Sequence, residues 1–161
     1  MAIVPRAIHQ FHGSTSVGDA ITNGLLFTRD LLRTLGFVSE IYCVDIAPEL
    51  AGEIRPAPSF PDSPDTVLLV HFSWAIKFDG WLQRLQCQKA LIYHNITPDE
   101  FFNDGDWFEQ TARLSRRQLA ALQPSMEAAL AQSAFSAREL QKLGFANVDV
   151  LPLLFDPGAW R

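Results

Sequence analysis

Three of the four histidines in this chain, His12, His71 and His94, stand where an apolar, strand-like run gives out. Thr66-Val67-Leu68-Leu69-Val70 ends in His71, and Lys89-Ala90-Leu91-Ile92-Tyr93 ends in His94-Asn95-Ile96-Thr97-Pro98. In an open parallel sheet all carboxyl ends share one edge, and ligands bind in the crevice outside it. The three imidazoles are therefore expected along one rim. Taken singly, each serves as readily as a cap for nearby backbone groups; the coincidence of three favours a polar site. A zinc centre built from them would resemble a three-histidine catalytic arrangement. Ligands on separate strand ends carry no spacing signature, however, and no carboxylate or cysteine joins them in a ligand pattern, so a sugar or phosphate site ranks above a metal. His9, inside the first strand, reads as a core or helix-facing residue.

The segment Gly13-Ser14-Thr15-Ser16-Val17-Gly18-Asp19 has two glycines at the interval of a phosphate loop. Asp19-Ala20 stands where Lys-Ser or Lys-Thr is required, which puts an anion in place of the phosphate-binding cation and argues against a Walker A site. G-x-G-x-x-G is missing too. What remains is a loop at a helix start, able to offer backbone N–H groups to an anion or a sugar hydroxyl, or simply a turn that uses glycine for tight geometry. Arg113, Arg116 and Arg117 cluster within about a turn and read first as a solvated face, with a basic patch for anionic lipid or a phosphorylated acceptor as the lesser reading. Trp74, Trp81 and Trp107 could stack on sugar rings or sit in the core.

The elements that must position these groups alternate along the chain. Strand 7–12 leads through the polar turn 13–18 into a helix over 19–35, closed by Gly36, and a strand follows over 37–44. The stretch 45–65 contains Pro48, Pro56, Pro58, Pro61 and Pro64 and is expected to be mostly loop, with room for a short edge strand near 53–55. Strand 66–71 is apolar on both faces, as a central parallel strand should be. Next come a weak helix over 76–85, strand 89–94, a helix over 107–122 and a strand over 128–132. Ser136-Ala137-Arg138-Glu139 reads as a capping box opening a helix closed by Gly144, and strand 147–151 stops at Pro152. The pattern predicts a doubly wound, mainly parallel Rossmann-like α/β sheet of about six or seven strands with helices on both faces.

At 161 residues and 48% hydrophobic content the chain suits a single core. A net charge of -5, with Lys77, Lys89 and Lys142 its only lysines, argues against nucleic-acid binding. Cys43 and Cys87 lack metal or disulfide spacing and read as buried thiols in a reducing compartment. No leader or membrane-length apolar stretch stands out. A cytoplasmic location is expected, with peripheral contact at the inner face of the membrane left open.

Several of these segments carry a resemblance. His12-Gly13, Gly18-Asp19-Ala20-Ile21-Thr22-Asn23, Gly36-Phe37-Val38-Ser39-Glu40-Ile41-Tyr42, Ile92-Tyr93-His94-Asn95, Ser136 to Leu140, and Gly144-Phe145-Ala146-Asn147-Val148 before Leu151-Pro152 together resemble the N-terminal domain of GT-B glycosyltransferases of family 4, glycosyl transferase group 1. The resemblance implies a retaining glycosyltransferase in which this domain binds a saccharide, lipid-linked or small-molecule acceptor. A second Rossmann-like domain binds the nucleotide-sugar, and no metal or other cofactor is called for. It places His94 as the catalytic residue by the transferred sugar, and Gly13 and Ser14 on the loop near donor diphosphate and acceptor. His12, Asp19, Asn23, His71 and Asn95 become acceptor contacts. On this reading residues 1–154 form the acceptor-side domain and 155–161 begin an interdomain linker. The donor half, with its paired-glutamate motif, is then expected to come from elsewhere, including a partner subunit. The competing expectations are a non-catalytic binding or assembly module and, behind it, a small metallohydrolase.

Overall fold

The central strand explains the architecture. In β4, Thr66–Phe72, Leu68, Val70 and Phe72 are fully buried on one side and His71 is buried on the other, so both faces must be covered. The computed structural model, which describes residues 6–77 and 79–155, shows how. Seven strands, all parallel, lie in the order β3-β2-β1-β4-β5-β6-β7. Besides β4 they are β1, Ala7–Ser14; β2, Ile41–Asp45; β3, Arg55–Pro56; β5, Gln88–Tyr93; β6, Ala128–Ala131; and β7, Val148–Val150. The chain runs outward from β1 to β3, then crosses back to β4 and runs outward the other way. Right-handed crossovers that reverse direction put their helices on opposite faces. Helix α1, Ala20–Thr34, accordingly packs Leu25 on Ile41 and Cys43 on one face. On the other face α2, Asp79–Arg84, α3, Trp107–Leu122, and α4, Ala134–Lys142, bury Leu82, Leu119 and Leu140 against Val70, Leu91 and Ala129. This is the expected Rossmann-like, doubly wound sheet.

Helix α1 has the ends that its sequence predicts. The Asp19 carboxylate accepts from the Thr22 amide at 2.9 Å, and Gly36 takes φ +91° while the Phe37 amide bonds Leu32 O, a closure that favours glycine. Among the described residues no helix is long and apolar enough to cross a membrane. Of the expected linker, residues 156–161 lie outside the described residues.

Several boundaries differ from expectation, all but the first because a side chain takes a backbone group. Strand β1 continues through Gly13 to Ser14, which pairs with Asp45. Strand β2 begins at Ile41 instead of residue 37, because the His9 ring intercepts the Glu40 amide at its Nδ1, 3.1 Å away; only an isolated bridge at Val38 precedes it. Helix α2 starts at Asp79 instead of residue 76. The Ala75 and Ile76 amides are held by Ser115 Oγ and Gln118 Oε1 of α3, each at 2.8 Å. Helix α4 is capped by Ser133, whose Oγ accepts from the Ser136 amide at 3.1 Å; the box expected at Ser136 is already inside the helix. His9 itself lies in the core, edge-on to Tyr42 and Phe60.

Candidate functional site

Parallel pairing brings the strand-end histidines together. Residues in register on neighbouring parallel strands share a side of the sheet. Phe11 is in register with Val70 and His71 with Ile92, so His12 and His71 are side by side, and His94, two residues past Ile92, projects the same way. His71 Nδ1 lies 2.8 Å from His94 Nε2, their rings near-parallel with centroids 5.1 Å apart. His12 Nδ1 is 3.1 Å from His71 O and must donate to it, which leaves its Nε2 as an acceptor. The His12 and His94 ring centroids are 6.4 Å apart.

The set is completed by Gln132, directly after β6, whose side-chain amide hydrogen-bonds His94 Nδ1. If that amide nitrogen donates, the His94 proton sits on Nε2 and points at His71 Nδ1. The proton of His71 then sits on Nε2, a buried atom without a hydrogen-bond partner. Three imidazoles packed this closely stay neutral. Burial lowers the His71 pKa well below 6.5, aided by the neighbouring His94 and His12. Burial likewise brings His94 down to about 4, with His12 adding to the effect and Asp19 opposing it. His12 is lowered chiefly by burial, against the pull of the His71 carbonyl and Asp19.

The segment carrying His94 is anchored from below. The His94 amide donates to Phe72 O at 2.9 Å. One residue earlier, the Tyr93 hydroxyl donates to Glu139 Oε2 at 2.7 Å and accepts from the Ile96 amide at 3.0 Å, and Arg116 reaches both Ile96 O and Glu139. Between these fixed points Asn95 sits exposed at φ +72°. Among non-glycine residues asparagine tolerates this left-handed region best, and such conformations cluster where a side chain is being aimed.

Two recesses flank the histidines. One, of about 70 Å³, lies between α1, the β4–β6 face and residues 151–154, with His71, His94 and Gln132 in a lining otherwise mainly apolar. The other, of about 120 Å³, opens at the switch point between β1 and β4. It is more polar and is bordered by His12, Gly13, Ser14, Asp45, Trp74 and Lys77.

Of the residues singled out in sequence, His12, His71 and His94 form one group. Gly13 and Ser14 edge the switch-point recess, and Asp19 is close enough to influence His12 and His94 electrostatically. Asn23 is exposed one turn along α1 and lines neither recess. Gly13 has a packing reason for being glycine, since a Cβ there would lie 2.6 Å from Ile76 Cγ2. The histidines do not converge on a common point: their facing nitrogens are paired with each other or with a carbonyl. Among the described residues no group of three His, Cys, Asp or Glu side chains is placed to hold a metal ion.

The arginine cluster is largely committed. Arg113 pairs with Asp99 and Glu109, and Arg116 with Asp99 and Glu139, leaving Arg117 exposed beside them. Trp81, half-buried, packs on Phe11 and Phe60 of the core, and Trp74, also half-buried against the core, meets the exposed Trp107. Gln132 was missed as a site residue although it ends a strand just as the histidines do; the strand-end rule applied to every residue type would have found it. Comparison of the sequence with known protein families and with curated proteins returns no match.

Proposed function

We propose that this chain is the acceptor-side domain of a GT-B retaining glycosyltransferase, which moves a sugar from a nucleotide-diphosphate donor to a hydroxyl acceptor. The observation that carries this reading is the hydrogen-bonded set Gln132, His94 and His71 on the carboxyl rim, beside the crevice where strand order reverses. Open α/β sheets place their ligands there. The family resemblance supplies the reaction. The acceptor hydroxyl oxygen bonds to the anomeric carbon, the bond from that carbon to the diphosphate oxygen breaks, and the hydroxyl proton leaves with the diphosphate. The donor is held by a second domain. With its pKa brought down to about 4, His94 is neutral at pH 7 and serves as a positioning group held by Gln132 and His71, since an efficient proton carrier has a pKa near the working pH.

The test is an amide NMR titration of the chain with neutral saccharides, alone and with UDP-, GDP- or ADP-glucose. Saturable shifts at Gly13, His94 and Asn95 are expected from the saccharide, and their loss in a folded His94→Ala variant. Silence of these amides towards every combination sinks the proposal. One observation favours a second reading, a non-catalytic binding or assembly module: both ring nitrogens of His94 are engaged inside the protein. Saccharide binding that leaves the His94 ring nitrogen signals unchanged would favour it.

A further inference from the structure

Trp74 borders the switch-point recess and also begins a strip of rings that leaves it. Its indole lies 6.4 Å, centroid to centroid, from both Phe102 and Trp107; Phe102 stacks on Phe108 at 5.7 Å, and Trp107 meets Phe108 at 5.0 Å. Core aromatics of this protein, such as Phe11, Phe72 and Tyr93, are fully buried. The outer rings of the strip are not: Trp107 is 62% exposed, Phe108 50%, and Phe101, next in sequence to Phe102, 73%, while Trp74 and Phe102 are half-buried and seat the strip on the core. A contiguous apolar patch of this kind marks an interaction surface.

Its surroundings discriminate between partners. Of the carboxylates in the same stretch of chain as the rings, Glu100 and Asp104 are exposed, while Asp99 and Glu109 pair with arginines and Asp106 caps α3. The nearest arginines, Arg113 and Arg116, are engaged in neutralising Asp99, Glu109 and Glu139. The chain as a whole carries -5. An anionic lipid surface would be repelled, and a cationic rim, which interfacial segments use on such membranes, is missing around these rings. Carboxylates beside exposed ring faces suit a neutral polyhydroxylated ligand, whose C–H faces pack on the rings while its hydroxyls donate to carboxylate oxygens.

We propose that the strip Trp74, Phe101, Phe102, Trp107 and Phe108 binds a neutral oligosaccharide chain and leads its reactive end to the recess at His12 and Gly13. The acceptor is then a carbohydrate chain longer than one unit, in preference to a lipid-linked or small-molecule hydroxyl. This assignment rests on the glycosyl-transfer reading for the end of the path at the rim, while binding along the strip is measured separately.

The experiment titrates the chain with neutral gluco-, manno-, xylo- and chito-oligosaccharides of one to six units, following tryptophan emission and amide shifts. Affinity is expected to rise with length for at least one series, with shifts at residues 101–108. Trp107→Ala should weaken that binding about tenfold, ~1.4 kcal/mol, with an unchanged unfolding midpoint, and Phe101→Ser should act in the same direction. Three outcomes overturn the strip: no saturable response to any series, binding that Trp107→Ala leaves intact, or a strip response only to phosphatidylcholine vesicles or to self-association. If binding is lost in Trp107→Ala while Gly13, His94 and Asn95 never respond, the strip stands and the glycosyl-transfer reading falls. Rim shifts that survive Trp107→Ala at unchanged affinity overturn the strip and leave the glycosyl-transfer reading standing.

Discussion

Acid should weaken this protein well before its carboxylates protonate. All four histidines, His9, His12, His71 and His94, have pKa values lowered in the folded state, each chiefly by burial. A histidine that is harder to protonate folded than unfolded contributes its full stability above the unfolded value of 6.5. That contribution is lost as pH falls from there towards the folded value. For His94, with a folded value of about 4, pH 5 lies about one and a half pH units inside this window. At about 1.4 kcal/mol per unit, the loss approaches ~2 kcal/mol, trimmed somewhat by the partial exposure of the ring. His71, more deeply buried, is lowered in the same direction, so the loss between pH 7.5 and pH 5 should exceed that from His94 alone. Ordinary carboxylates titrate near pH 4 and leave this window to the imidazoles. Urea unfolding followed by circular dichroism at pH 7.5, 6.5 and 5.0 measures the loss. His94→Gln, which keeps a polar group without titrating there, should flatten the profile by roughly 2 kcal/mol. A stability that stays constant from pH 7.5 to 5, or a His94→Gln profile as steep as that of the parent, would refute the assignment of buried neutral histidines.

Other expectations concern single contacts. Gly13→Ala should cost about 1–3 kcal/mol through overpacking against Ile76 Cγ2; in an Ile76→Ala background, where that methyl is gone, chemical denaturation should show the penalty largely relieved. Asp19→Ala should lose the α1 cap, about 1 kcal/mol, and Asp19→Asn should keep most of it; equal losses in both would show that the bond to the Thr22 amide contributes little. The thiols of Cys43 and Cys87, free, buried and each pushed up to about 11 by burial, should react with a disulfide reagent at pH 8 only after unfolding. Fast labelling of either in the native protein contradicts that burial.

The fold could be read from the sequence where local signals and burial agree. The apolar run 66–70 could only be a covered central strand, and Asp19 and Gly36 bracket α1 by backbone chemistry internal to the helix. Signals failed where a distant side chain takes a backbone group. Nothing near residue 76 announces that Gln118, 42 positions away, will hold its amide, and nothing near Glu40 announces His9. The capping-box pattern at Ser136 to Glu139 placed the start of α4 three residues late, because the serine that caps it, Ser133, has no glutamate three positions on. For the candidate site, topology sufficed to put the histidines on one edge. Their pairing needed the register of β1, β4 and β5, which is set by three-dimensional packing, and only that register shows His71 and His94 hydrogen-bonded to each other. The exposure of Trp107 against the partial burial of Trp74 and Trp81 was likewise invisible, because ring placement depends on the loop path between β5 and α3.

The His9 contact with Glu40 makes proton supply a structural variable at the amino end of the sheet, away from the rim. While neutral, the ring substitutes for a missing strand carbonyl and completes the seam between β1 and β2. Once protonated, both its nitrogens carry hydrogens, so the ring faces the Glu40 amide donor to donor and the seam loses a stitch. An apolar residue of similar size would leave that amide unpaired at every pH. Position 9 is therefore bound to an acceptor side chain for reasons unrelated to any ligand, and an acid-induced opening of the protein would begin at both ends of β1, at the β2 seam and at the rim beside β4.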